Sequence, residues 1–441
     1  MLQAGLAALY KFGGVGLAFL VLVVLARRMT PVEFGLYSVG YSIANIAWAI
    51  GTLGQPVSAV RFWPTLAERY GTDVANFVLR RGLLLVTLGS ALIFALGLVA
   101  AMIGAGPFAN VPLVIATAAF SVALAYSQYL CFALRARGLL SWSMVPRDLI
   151  WRGGVIVIAF FMDSLSGLGG LWLTTAVLAV ATLAQLVRLV TLPPTIWTNR
   201  TLPPREEIEA MRYAQWGLYA GAISRHFLQQ ASTVVVALVL GPVEAGAFFA
   251  AQRLGNLMSL TLLSTNQVSS PLLAADWHAG RKDEVQSLAF AMALLATVAS
   301  LGMFALFVLF GPWILTLFDS SYTSAYAALL LLAIGQLVSA ACGSNANLLN
   351  LAGQERPLLR ITVISGLLNP LMTAGGAMLG GLTGAALGTA LAIILWNVLS
   401  VRLCKARLGI RIMAPDDIRN AGAVLRDVLR KRRNRKTAKK D

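Results

Sequence analysis

Long apolar runs alternate with short polar stretches from one end of the chain to the other. Twelve of these runs come near or above the roughly 18–20 residues that cross a bilayer as a helix. They fall at Leu6–Leu25, Leu36–Gly54, Gly82–Ile103, Val111–Phe132, Met144–Met162 and Leu168–Val187, and then at Trp216–Leu240, Ala245–Leu263, Leu288–Phe310, Ala325–Leu348, Ile361–Leu379 and Leu382–Val401. The first run carries Lys11 and is followed by Arg27–Arg28, so it reads as a retained helix rather than a cleaved leader. The fifth is the least regular, because Arg147, Asp148 and Arg152 intrude on it.

The pattern repeats. "TPVEFGLYS" at Thr30–Ser38 returns as "GPVEAGAFF" at Gly241–Phe249, an offset of 211 that also carries Asn45 onto Asn256. Thr30, Pro31 and Glu33 read as an N-cap, a proline at the first helical position and a capping-box glutamate, so each copy starts the second helix of its half. Between the halves the hydrophobic pattern fails, with Pro193–Pro194, Pro203–Pro204 and a Glu206–Glu207–Glu209 cluster. The expected domains are therefore a six-helix bundle over 1–191, a cytoplasmic linker over 192–213, a second six-helix bundle over 214–404 and a basic tail over 405–441. Six spans per half give both halves the same orientation, which places a pseudo-two-fold axis along the membrane normal. The fold class is an all-α polytopic membrane protein.

Composition agrees and adds a direction. The 441 residues are 58% hydrophobic and 12% charged, and the net charge of +17 belongs to membrane topology rather than to nucleic acid. With the N-terminus inside, only Arg27 and Arg28 of the 35 basic residues fall in the expected outer loops. Lys and Arg resist translocation, so both termini are expected in the cytoplasm. Three scattered cysteines and two histidines far apart in sequence offer neither a disulfide framework nor a metal motif, and no cofactor is expected.

The stretches "EFGLYSVGYSIANIAWAIGTLG" in the first half and "FGPWILTLFDSSYTSAYAALLLLAIGQLVSA" in the second resemble lipid-linked oligosaccharide flippases of the polysaccharide transport family, within the multidrug/oligosaccharidyl-lipid/polysaccharide exporter superfamily. So does "LNLAGQERPLLRITVISGLLNPLM", and the resemblance runs in order through nearly the whole chain. It implies a carrier that moves undecaprenyl-diphosphate-linked glycan from the inner to the outer leaflet of a bacterial cytoplasmic membrane. Two bundles would rock about a central cavity, serving O-antigen or exopolysaccharide synthesis beside a polymerase and glycosyltransferases.

Such a substrate needs cations at membrane depth, where they are costly and normally face a bundle interior or water. Lys11, Arg152, Arg225 and Arg253 meet that condition. Arginine adds bidentate recognition of phosphate oxygens. Around them, helical spacing predicts polar stripes: Gly221–Arg225–Gln229–Ser232, Gln252–Asn256–Ser259, Tyr41–Asn45–Trp48–Thr52–Gln55 and Gln336–Ser339–Gly343–Asn347–Asn350. The substrate-binding candidates are Lys11, Arg225, Arg253, Arg152, Asn45, Asn256 and Gln229. Polar residues of this kind also join membrane helices, and Asp148 stands at ion-pair spacing from Arg152. His226 is expected to be a satisfied polar residue.

An enzyme is a poorer fit, since the outer acids are scattered singly and no phosphate-binding glycine loop or metal-ligand spacing occurs. Export of a drug or another lipid is the alternative. Asp148 is the lone carboxylate well inside a span, which weakens the ion-coupled drug antiporter reading. In the tail, Ile418, Ala421, Leu425, Val428 and Leu429 recur on one side between arginines, the pattern of a basic amphipathic helix on anionic lipid.

Overall fold

The computed structural model describes residues 2–104, 110–197, 201–410 and 412; the amphipathic tail expected over 414–441 lies outside them. Among the described residues the structure is helical and contains no strand. The helices are α1 (Leu2–Arg28), α2 (Pro31–Gly51), α3 (Gln55–Tyr70), α4 (Thr72–Ile103), α5 (Val111–Ala136), α6 (Leu140–Met144), α7 (Trp151–Phe160) and α8 (Gly167–Thr191). There follow α9 (Arg205–Leu240), α10 (Pro242–Leu257), α11 (Ser259–His278), α12 (Lys282–Thr316), α13 (Tyr326–Cys342), α14 (Asn345–Leu351) and α15 (Glu355–Leu408). Seven of the described helices hold an apolar window long enough to cross a membrane by length and composition.

The repeat seen in sequence extends to helix boundaries. Adding 211 to the bounds of α4 gives 283–314, against the observed 282–316 of α12, and the same offset carries the end of α1 to 239, against 240 for α9. The helices α3 and α11 overlap on this offset, 266–281 against the observed 259–278.

Local chemistry explains three of the helix starts. Thr30 is extended and its hydroxyl accepts the Glu33 N–H at 3.3 Å, with Pro31 at the first helical position. Asn110 and Ser166 cap α5 and α8 in the same way, satisfying N–H groups that hydrocarbon cannot. The capping-box half of the expectation is wrong, however. Glu33 does not turn back to its own cap; its Oε2 accepts the Gly167 N–H at 2.5 Å and so caps the first turn of α8.

Three further differences follow from helix ends that periodicity cannot see. The linker ends early, because α9 begins at Arg205 and takes the glutamate cluster into its first turns, where acids suit the helix dipole. The fifth span is interrupted by a π-helical turn at Val145–Ile150. The last two spans form a helical hairpin, α15, that reverses at Gly380–Gly381, where Gly381 has φ 57°. The arms of that hairpin touch backbone to backbone, since a Cβ on Gly376, Gly384 or Gly388 would overlap a carbonyl of the other arm. Small residues allow this close approach where no hydrophobic effect drives helices together.

The chain packs as two compact units, residues 1–249 with 316–322, and 250–315 with 323–441. Packing and covalent repeat thus divide the chain differently, because α9 packs on α2 in the first unit. Gln215 Nε2 donates to Leu53 O at 2.9 Å, Tyr219 Oη donates to Ile50 O at 3.0 Å, and the His226 ring meets Trp48 edge-on at 4.5 Å. In the second unit, Leu273, Val285, Leu288, Leu349 and Leu408 form a core.

The two copies of the repeated motif meet inside the first unit. A Cβ on Gly35 would overlap the Pro242 carbonyl, and one on Gly246, the residue 211 positions on, would lie 3.2 Å from Gly35 N. Phe34 packs beside this crossing against Phe249 and Tyr322, at 6.1 and 5.9 Å between ring centroids. Gly35→Ala is therefore expected to destabilise the protein by about 1–3 kcal/mol through overpacking. Gly16→Ala, whose Cβ meets nothing within 4 Å, should leave the melting midpoint unchanged. Thermal melts of the two detergent-solubilised variants check this, and equal midpoints would refute the close-contact argument.

Candidate substrate-binding site

Arg225 lies on α9 within an apolar span, is exposed, and makes no ion pair or hydrogen bond among the described residues. Gln229, one turn further, is exposed beside it, whereas Ser232 at the end of the expected stripe is buried. The α9 face that carries Gln215, Tyr219 and His226 lies against α2, which leaves Arg225 turned away from that seam. His226 differs from expectation: its Nδ1 is buried with no hydrogen-bond partner among the described residues.

Asn45 is committed locally. Its Nδ2 donates to Tyr41 O at 2.8 Å and its Oδ1 accepts from Trp48 Nε1 at 3.3 Å. Asn256 bridges helices of the second unit, with Oδ1 accepting from Gln336 Nε2 at 3.1 Å. The Asn347 amide donates to Ser270 Oγ at 2.7 Å and Ser344 bonds Asn266, so the tenth-span polar residues act as interhelical links. Arg253 is half-buried on α10 and engaged with its surroundings. Lys11 sits on α1, and its side chain is outside the described residues.

Three of the expected stripes overrun a helix end. Thr52 and Gln55 lie beyond the end of α2, Ser259 lies beyond the α10–α11 break at Met258, and Gly343, at φ 68°, separates α13 from α14. The stripe on α9 alone runs along one unbroken helix.

Arg152 is tied down. Its Nη1 reaches Asp148 Oδ1 at 3.3 Å, Asp148 O at 3.2 Å and Gly14 O at 2.9 Å, joining the π-helical turn to α1. Arg147, which spacing alone did not select, stands 3.8 Å from the same carboxylate oxygen and donates to Cys131 Sγ at 3.4 Å. Two arginines thus share one carboxylate. The run "VPRDLIWR" carries the signal in its crowded charges, but the π turn that brings them together is not periodic in sequence.

Basic residues at the membrane edges serve the backbone. Arg28 Nη2 donates to Phe160 O and Arg27 Nε to Leu317 O, both at 2.7 Å, so the two outer exceptions to the charge asymmetry cap helix C-termini. On the opposite side, Arg137 donates to the carbonyls of Leu192, Pro193 and Pro194, and Arg80 to that of Ile196. Burial, and secondarily the neighbouring Arg188, holds the Arg137 guanidinium below the ordinary arginine range. The start of the linker is therefore clamped to the first unit.

With this geometry in hand, comparison with known proteins is informative. The model of the polysaccharide biosynthesis protein family matches residues 4–277, more than half of the chain. The chain belongs to this family. The MatE family model matches residues 221–374. The succinoglycan biosynthesis transport protein ExoT of Rhizobium meliloti (strain 1021) is 27% identical over 394 residues, covering 87% of this chain and 75% of that protein. Among solved structures, the inward-facing conformation of a multidrug resistance MATE family transporter of the MOP superfamily has a TM-score of 0.73 at 15% identity, covering 90% of this chain and 94% of that one. The crystal structure of MATE in the straight conformation has a TM-score of 0.57 at 15% identity, covering 92% and 94%. These structures carry the fold, a multi-pass helical transporter architecture of two bundles. Family and fold together point to a transporter in polysaccharide biosynthesis and not to an enzyme.

The shared carboxylate makes a prediction. Asp148→Ala leaves two arginines facing each other at low dielectric and should cost ~3–5 kcal/mol. Replacing Asp148 by Leu together with Arg152 by Met should recover much of that loss. The melting midpoints decide, and a double variant no more stable than the single one would count against the ion pair.

Proposed function

We propose that this chain translocates undecaprenyl-diphosphate-linked oligosaccharide from the inner to the outer leaflet of the bacterial cytoplasmic membrane. The proposed route is alternating access through a central cationic cavity. The observation that carries the reading is Arg225, an exposed cation in an apolar span with no ion partner among the described residues. Such a charge persists only where it faces water or an anion. A diphosphate supplies that anion, and the adjacent Gln229 amide suits diphosphate or sugar oxygens. Arg253 and Lys11 are the further headgroup candidates. Arg152, Asn45 and Asn256 hold hydrogen bonds within the protein, which favours positioning over direct contact.

The succinoglycan transport relative supports a glycan cargo, exopolysaccharide in particular. The alternative, export of another amphipathic molecule, draws on the shared architecture of MATE transporters. Against proton-coupled export stands Asp148, held by two arginines rather than free to cycle a proton. A departing diphosphate gains instead from the membrane potential, at ~2.3 kcal/mol per charge per 100 mV. A polymerase and glycosyltransferases are the proposed partners, with the basic tail resting on anionic lipid.

Arg225→Gln should weaken headgroup binding roughly tenfold to a hundredfold, the ~1.5–3 kcal/mol of a hydrogen bond to a charged group. Arg225→Lys should retain part of it. A leaflet-resolved assay of lipid-linked glycan in proteoliposomes reads both, and undiminished transport by the Gln variant would remove Arg225 from the site. Orientation is tested separately in a chain freed of its three native cysteines. Ser320→Cys should react with an impermeant thiol reagent from outside, and Thr201→Cys only after permeabilisation. The reverse pattern would invert the direction of transport.

A further inference from the structure

The first unit contains an apolar crevice of about 200 Å³ between α2, α4 and α5. Its origin is a contact lower down. Gly51 of α2 and Gly89 of α4 touch backbone to backbone, since a Cβ on Gly89 would overlap the Gly51 carbonyl. Beyond that point small residues line much of the gap: Gly40 and Ala47 on α2, Gly97 and Ala100 on α4, Ala118 on α5. Leu96 also lines the crevice while 53% exposed, so the gap opens on the apolar outer surface of α4, where Leu92 and Val99 are exposed as well. Gly97 lies six residues before the end of α4 at Ile103, about 9 Å along the helix axis. By the charge asymmetry, that end is the outward one.

The crevice offers a ligand nothing polar. The two hydroxyls in its wall are spent, Thr117 Oγ1 donating to Leu113 O at 2.8 Å and Ser121 Oγ to Ala118 O at 2.7 Å. A headgroup would go unsatisfied there, and so would water. Such a gap suits hydrocarbon entering sideways from the bilayer. α2 also lies between the crevice and α9, the helix that carries Arg225 and Gln229. Gly40, Ile43 and Ala47 face the crevice. Tyr41, Asn45 and Trp48 lie about 120° round the same helix, at the same heights.

We propose that this crevice receives a short segment of the polyisoprenoid tail of the carried lipid, about one or two isoprene units by volume, as it arrives in the outer leaflet. The inference rests on the flippase reading above, because only a carrier of an amphiphile must lodge a tail in hydrocarbon while the headgroup crosses protein. The tail then lies along the α4 side of α2, and the glycan-bearing diphosphate lies on the side turned away from it.

Two measurements on the full chain in proteoliposomes test this. In the first, a photoactivatable undecaprenyl phosphate and a photoactivatable phosphatidylethanolamine are each crosslinked, and the labelled peptides are identified. The undecaprenyl probe should label residues 93–100 and 113–121 severalfold above the lipid-facing stretch 84–92. Ala47→Phe and Ala100→Phe, at crevice positions, should abolish that excess. Equal labelling of the crevice by the phospholipid probe, or no excess with the undecaprenyl probe, overturns the proposal. The second measurement compares transport of undecaprenyl-linked glycan by wild type and by the two filled variants. The filled variants should move it severalfold more slowly than wild type. If they move it at the wild-type rate, the crevice inference fails alone. If wild type moves none, the flippase reading fails, and the inference falls with it.

Discussion

Gly35 and its repeat counterpart Gly246 let two helix starts cross at backbone distance, and much of the first unit is arranged around that crossing. Because neither residue has a side chain, the Pro242 carbonyl can rest where a Cβ on Gly35 would stand. The aromatic residues Phe34, Tyr37, Phe249 and Tyr322 then close around it. From this crossing α2 runs beside α9, which receives it with Gln215 and Tyr219 on the carbonyls of Leu53 and Ile50. The repeat is thus more than a record of duplication. Its second copy supplies the surface on which the first one packs.

The bilayer governs what the remaining polar groups do. In hydrocarbon a free carbonyl costs several kcal/mol, and burial of apolar surface earns little between helices. The charged side chains accordingly go to backbone ends. Arg27 and Arg28 close helix C-termini on one side, Arg80 and Arg137 hold the linker on the other, and Glu33 caps α8 across the bundle. Against that background Arg225 is conspicuous, since it lies within a span and closes nothing among the described residues.

The fifth span departs from regular helix where its charges lie. A π-helical turn adds a residue to the helical circuit, and such turns recur at functional sites. Here the turn lets Asp148 meet both Arg147 and Arg152 while Arg152 also reaches Gly14 on α1. The cluster adds a hydrogen bond to the packing of the fifth span on the first, an arrangement suited to holding α1 in register.

Much was legible in sequence because membrane spans are written in long runs of one kind of residue. Hydropathy announced the long apolar helices, seven of which among the described residues reach spanning length, the 211-residue offset exposed the repeat, and the charge asymmetry sets an expected orientation. The Thr30–Pro31 cap was readable because capping is a local bond between neighbours. Glu33 was misread for the same reason: its partner, Gly167, is 134 residues away. The polar stripes failed similarly, because helical periodicity assumes that the helix continues, and breaks at Met258 and Gly343 depend on three-dimensional packing. Only the tertiary structure separated Arg225 from Arg152, two arginines equally buried in apolar sequence. A residue type states what a side chain can bind, but whether a carboxylate or a carbonyl already occupies it is a matter of which helices lie alongside.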